Sequence, residues 1–157
     1  MSLNQQVAKH FREVYFGGNW TTVNVKDTLK GVTYEQATTQ VESFNTIATL
    51  AYHIHYYVRV ALKVLKGGAL EGKDALSFDH PPINTQKDWD DLLNKNFAEA
   101  EELALLIAEL PNDKFFDSFT DEKYGNYYRN ITGIIEHTHY HLGQISLIKK
   151  SLTANSK

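Results

Sequence analysis

Histidine is the residue type in this chain best suited to chemistry. The sequence has seven histidines and no cysteine. Without cysteine there are no disulfides, no thiolate metal site and no cysteine nucleophile, so histidine and carboxylate remain as metal ligands. His137 and His141 stand four apart in the run Gly133–Gln144. On a helix, such residues lie about 40° apart in angle and about 6 Å apart along the axis, so both rings can reach one point. The core line of that helix reads Ile134, His137, His141, Ile145, Ile148, which is the spacing of a buried seam. Two imidazoles thus stand where hydrocarbon is expected, and buried polar groups need partners. A metal ion is one such partner. A hydrogen bond to a neighbouring side chain is another, and spacing alone does not choose between them. His139 falls in line with Ser146 and Lys150 and reads as solvent-facing.

A third imidazole comes from a second long helix. His53 lies in line with Leu50, Tyr57, Val60 and Val64, beside the core face formed by Phe44, Ile47, Leu50, Ile54, Val58, Ala61 and Leu65. His55 is about 200° further round, shares a face with Arg59 and reads as peripheral. Three neutral imidazoles converging between helices would leave positions open for water or substrate. Gly133, one turn before His137, gives room for another helix or a ligand. Gln144, one turn beyond His141, can orient a ring or a bound water. Tyr56, Tyr57 and Tyr140 sit one turn from the candidate ligands and either line a cavity or pack the core. Glu136 points about 100° away from the adjacent ligand and is a poor general base. Glu35 and Asp27 are candidate lid carboxylates. His10 is spare, and His80, beside two prolines, reads as a surface residue. There is no nucleophile elbow, no Walker loop and no dinucleotide fingerprint.

The elements that position these residues read as helices. The first spans residues 3 to 16 on the stripe Leu3, Val7, Phe11, Val14, Tyr15 and stops at Gly17-Gly18-Asn19. A long connection over residues 19 to 40 carries Trp20, a short helix at Val25–Leu29, and Thr33 as N-cap for Tyr34–Thr38. The second main helix runs from about Glu42 to Leu65 and ends at Gly67-Gly68. Residues 66 to 85 form a loop with a charged patch. The third helix runs from Thr85 to about Leu110 on Trp89, Leu92, Leu93, Phe97, Leu103 and Ile107, and ends at Pro111. A short turn at Asp113–Phe116 precedes the fourth helix, Tyr127 to Leu152, and a polar tail expected to fray. Strand signals are nearly absent. The expected fold is an all-α four-helix bundle in one domain, residues 1–157.

Composition narrows the function classes. A net charge of −3 without a basic stripe argues against nucleic acid as a partner. No apolar run is long enough for a bilayer, so a membrane is not expected as a partner either. Met1 to Lys9 lack the apolar centre of a signal peptide, which makes the cytoplasm the expected location.

The segment Phe44–Ile54, centred on His53, resembles the helix-two signature of the DinB-like (damage-inducible, YfiT-like) metalloprotein superfamily. The run Ile134–Gln144, with His-x3-His followed by Leu-Gly-Gln, is similar to a second signature of that group. Val32–Ala37 and the loop Pro82-Ile83-Asn84 leading to Asp88-Trp89 also look like it. The resemblance covers nearly the whole chain. It implies a four-helix bundle with a long crossover between helices 1 and 2, and frequently a homodimer. It also implies a divalent metal, often nickel or zinc, on three histidines, which by position are His53, His137 and His141. Relatives with known activity include thiol-dependent S-transferases and an isomerase using a low-molecular-weight thiol. The expectation is therefore a metal-dependent thiol transferase or small-molecule hydrolase. The alternative is a non-catalytic metal- or ligand-binding, dimeric stress-response protein.

Overall fold

The computed structural model describes residues 1–154. It is built from helices, and the one strand-like pairing among the described residues is an isolated bridge between Ser118 and Asn126. Six α-helices follow in order: α1 (Leu3–Phe16), α2 (Val25–Leu29), α3 (Tyr34–Thr38), α4 (Ile47–Leu65), α5 (Gln86–Glu109) and α6 (Tyr127–Ala154). The four long ones, α1, α4, α5 and α6, close a ring. α1 packs on α5, α5 on α4, α4 on α6, and α6 back on α1. This is the all-α packing of long helices expected from the apolar stripes.

Local chemistry sets the helix boundaries. α1 buries Val7, Phe11, Val14 and Tyr15 along the predicted stripe and stops at Gly17, whose φ of 103° favours glycine. α4 starts five residues later than its apolar pattern suggests. The Thr46 hydroxyl accepts from the Thr49 amide at 3.1 Å and caps the first turn. Upstream, Glu42 adopts a left-handed φ of 49°, which breaks any continuous helix there. Phe44, expected on the core side, is consequently 54% exposed. α5 opens with a reciprocal cap: the Asp88 amide donates to the Thr85 hydroxyl at 3.2 Å, and Asp88 Oδ2 accepts from the Thr85 amide at 2.9 Å. α6 continues through Ala154, two residues past its expected end, and the rest of the expected frayed tail lies outside the described residues.

Residues 17–46 form the long crossover and are firmly held. The fully buried Trp89 donates its indole N–H to the Val32 carbonyl at 2.9 Å. Lys149 of α6 donates to the carbonyls of Thr28 and Lys30 at 2.9 and 2.8 Å, satisfying the C-terminal end of α2. Within this segment Trp20 is almost fully exposed. The core inside the ring is Ile- and Leu-rich, with Ile47, Ile54, Leu103, Ile107, Ile131, Leu142 and Ile145 fully buried. At roughly 1.5–3 kcal/mol for each large apolar side chain buried, this seam holds α4 and α6 side by side. That packing fixes the frame on which the histidines converge.

Candidate metal centre

His53 projects from α4, and His137 and His141 project from α6. Their ring centroids lie 4.5 to 4.8 Å from one another. One ring nitrogen from each falls within 4.8 Å of the other two, a grouping that could hold a metal ion. His53 Nε2 and His137 Nε2 are 3.0 Å apart. His53 and His141 are buried, and His137 is half-buried.

Two of the three rings have their far nitrogen tied off. Ser77 gives its hydroxyl proton to the Asp74 carbonyl at 2.6 Å. The same oxygen therefore accepts from His53 Nδ1–H, 2.7 Å away. His141 Nδ1–H donates to Gln144 Oε1 at 2.6 Å. Each bond fixes the tautomer with the proton on Nδ1 and leaves Nε2 bare, facing the shared point. His137 Nδ1 is buried and has no partner among the described residues, so none of them competes on that side with the orientation of its Nε2.

Burial and the neighbouring rings disfavour a second proton on His53 and His137. Burial and the His141 ring push His53 below its ordinary value against the opposing pull of Asp74. Burial, then His141 and His53, push His137 down to about 4. His53 and His137 thus resist taking a second proton, and the tied-off Nδ1 atoms of His53 and His141 leave their Nε2 lone pairs toward the shared point. Two nitrogens bonded at about 2.0–2.1 Å to one ion stand roughly 2.9 to 3.4 Å apart at octahedral to tetrahedral angles. The observed 3.0 Å fits such a group.

Comparison with known families decides the kinship. A family model described as DinB superfamily matches residues 19–145. The chain belongs to the DinB superfamily. Members of this superfamily are typically metal-binding. No curated protein and no solved structure matches the chain at a significant level.

In this DinB-superfamily chain, residues around the centre come partly from where the sequence points and partly from elsewhere. Gln144 orients the His141 ring. Tyr57 stands edge-on to both His53 and His137, with centroids 5.4 and 4.8 Å away. Its hydroxyl donates to Asp74 Oδ1 at 2.5 Å, and burial with that bond pushes the phenol up to about 12. Tyr140 packs edge-on against His141 but is largely exposed. The sequence reading missed the turn Asp74–Phe78, which packs on α4. It supplies Ser77, fully buried, and Phe78, stacked on the His53 ring at 4.0 Å. A serine and a phenylalanine in an aperiodic loop carry no spacing signal.

Several expectations are corrected. His55 is not peripheral: it is 1% exposed and its Nε2 lies 2.6 Å from Glu99 Oε2. Burial holds His55 below its ordinary value, so a neutral ring donates Nε2–H to the carboxylate. Burial alone would raise the Glu99 carboxyl, but the bond from His55 and the charges of Lys95 and Arg59 hold it low. His139 is half-buried, and burial and His10 lower its pKa. Asp27 and Glu35 lie in the first turns of α2 and α3, which Asn24 and Thr33 cap, and do not line the clefts beside the histidines. His80 is half-buried, with Nδ1 donating to the Pro81 carbonyl, and stands outside the histidine group.

Two clefts reach His137 or the Gln144 that holds His141. One, of about 280 Å³, is lined by Tyr57, Arg129, Asn130, Gly133, Ile134 and His137. The other, of about 290 Å³, lies between Phe44 and Leu147 and reaches Gln144. No helix among the described residues is long and apolar enough to cross a membrane.

Proposed function

We propose that this protein is a divalent-metal-dependent enzyme acting on small molecules, with His53, His137 and His141 as the ligands. The observation that carries the reading is the pair of bare Nε2 atoms at His53 and His141, each held by a partner on Nδ1, beside the orphaned His137. Nickel or zinc suits a set of neutral imidazoles. A bound divalent ion would favour the thiolate of a low-molecular-weight thiol or lower the pKa of a water, serving S-transfer or hydrolysis.

The chain's own residues have separable roles. Ser77 and Gln144 hold two rings in register. Phe78 and Tyr57 wall the His53 ring and exclude water from it. Tyr57, with its phenol raised, stays protonated and is a wall rather than a base. Asp74 is the carboxylate whose charge acts on both His53 and His137, and it is assigned the proton released when a thiol or water binds. Elemental analysis of untagged protein tests the centre: stoichiometric metal is expected, lost in His53→Ala, His137→Ala and His141→Ala. Protein purified and reconstituted without stoichiometric metal would sink the reading. A thiol-conjugation and ester-hydrolysis screen then tests catalysis, and absence of turnover with a full complement of metal leaves a binder.

That second reading, a non-catalytic metal- or ligand-binding homodimer of the cytoplasm, is favoured by one feature. Phe44, Tyr140 and Leu147 are all more than half exposed, and Tyr140 and Leu147, seven apart on α6, share a face. A second copy covering them would close the cleft near Gln144. Light scattering that finds monomers at micromolar concentration counts against the dimer.

A further inference from the structure

Arg129, Gly133 and His137 follow one another at four-residue steps along α6 and all line the same cleft. The Arg129 guanidinium makes no ion pair among the described residues, whereas Lys9, Arg12, Lys66 and Lys87 do. Its stem is seated rather than free. A Cβ built on Gly125 would fall 2.7 Å from Arg129 Cδ, so the arginine lies flat against bare backbone at the helix start. Between the two ends, Gly133 leaves the floor open: nothing lies within 4 Å of a Cβ placed there. A glycine in a helix interior is less stable than an alanine there, and here no packing neighbour requires it. Ile134 and the Tyr57 ring give the same cleft an apolar wall.

We propose that Arg129 is a specificity-determining residue, binding the anionic end of an elongated molecule whose donor atom sits at the histidine centre and whose middle lies over Gly133. The proposal rests on the metal-centre reading above. His137 and Arg129 are two helical turns apart, and side chains on one helix lean the same way, so the donor atom and the anionic group are about 12 Å apart. A carboxylate or a phosphate satisfies the planar guanidinium equally. The substrate class is therefore a chain-like molecule with a soft donor at one end and a carboxylate or phosphate at the other.

The test uses full-length protein loaded with zinc and isothermal titration with 8-mercaptooctanoate and its neutral counterpart, 8-mercaptooctanol. The acid is expected to bind about tenfold tighter, as one hydrogen-bonded charge contact supplies. Arg129→Gln should abolish that preference and leave the alcohol's affinity and the zinc content unchanged. Short 3-mercaptopropionate, which cannot span the cleft, should gain nothing from Arg129. Gly133→Leu should weaken both long thiols without lowering the melting temperature, and Gly133→Ala, which adds only a methyl to open space, should raise it. Equal binding of acid and alcohol to zinc-loaded parent overturns the proposal, as does a preference that survives in Arg129→Gln. Failure of both thiols to bind a zinc-loaded chain overturns it while the metal centre stands. Failure of the chain to take up zinc removes both.

Discussion

Ser77 Oγ lies 2.7 Å from His53 Nδ1 and spends its own proton on the Asp74 carbonyl. The hydroxyl can therefore only accept from the ring. A loop residue thus sets which nitrogen of a helical histidine carries the proton. Ser77→Ala is expected to leave the fold intact and weaken metal affinity about 10- to 100-fold, the usual size of such a partner's contribution. Gln144→Ala should act similarly through His141 Nδ1. Chelator competition measures both, and affinities equal to the parent's would show that these bonds do not orient the rings.

Protonation gives a second handle. His137 falls from 6.5 to about 4 in the folded chain, and His53 and His55 are lowered as well. The unfolded chain therefore binds protons that the native state refuses. Their contribution to stability is fully present above about pH 6.5 and is lost as pH falls from there to about 4. Urea unfolding of metal-free protein across that window should show a falling free energy, with a shallower slope in His137→Ala. A flat profile in the parent would contradict the burial of these rings.

The pair His55–Glu99 is a structural counterpart on another face of α4 from His53. His55→Ala strips a buried partner from Glu99 and opens a hole beside Tyr15, whose ring stands 6.5 Å away. The expected loss is about 2–4 kcal/mol of unfolding free energy, with metal content unchanged. Loss of metal together with stability would mean that α4 transmits the damage to His53.

Much of this arrangement is legible in the sequence, because it rests on periodicity. The stripes of α1, α5 and α6 place their cores, and the cap at Thr33 and the helix start at Thr85 are local signals. His137 and His141 declare themselves by spacing on one helix. The misreadings have a common physical origin in contacts between distant segments. His55 looks peripheral when α4 is given one buried stripe, but α5 covers a second face and supplies Glu99. Phe44 fits the apolar period yet precedes the real cap. Ser77 and Phe78 sit in a turn whose importance depends on a ring 24 residues upstream in sequence.

The histidine centre joins two helices far apart in the chain, with 84 positions separating His53 from His137. Before folding, only the His137–His141 pair is available as a chelate, and it lacks its third arm. An ion that fits the assembled cluster therefore discriminates the finished architecture from every unravelled form. At a free concentration one hundred times its dissociation constant it would add about 2.7 kcal/mol to the unfolding free energy. Metal supply in the cell would then set how long each copy of this protein survives.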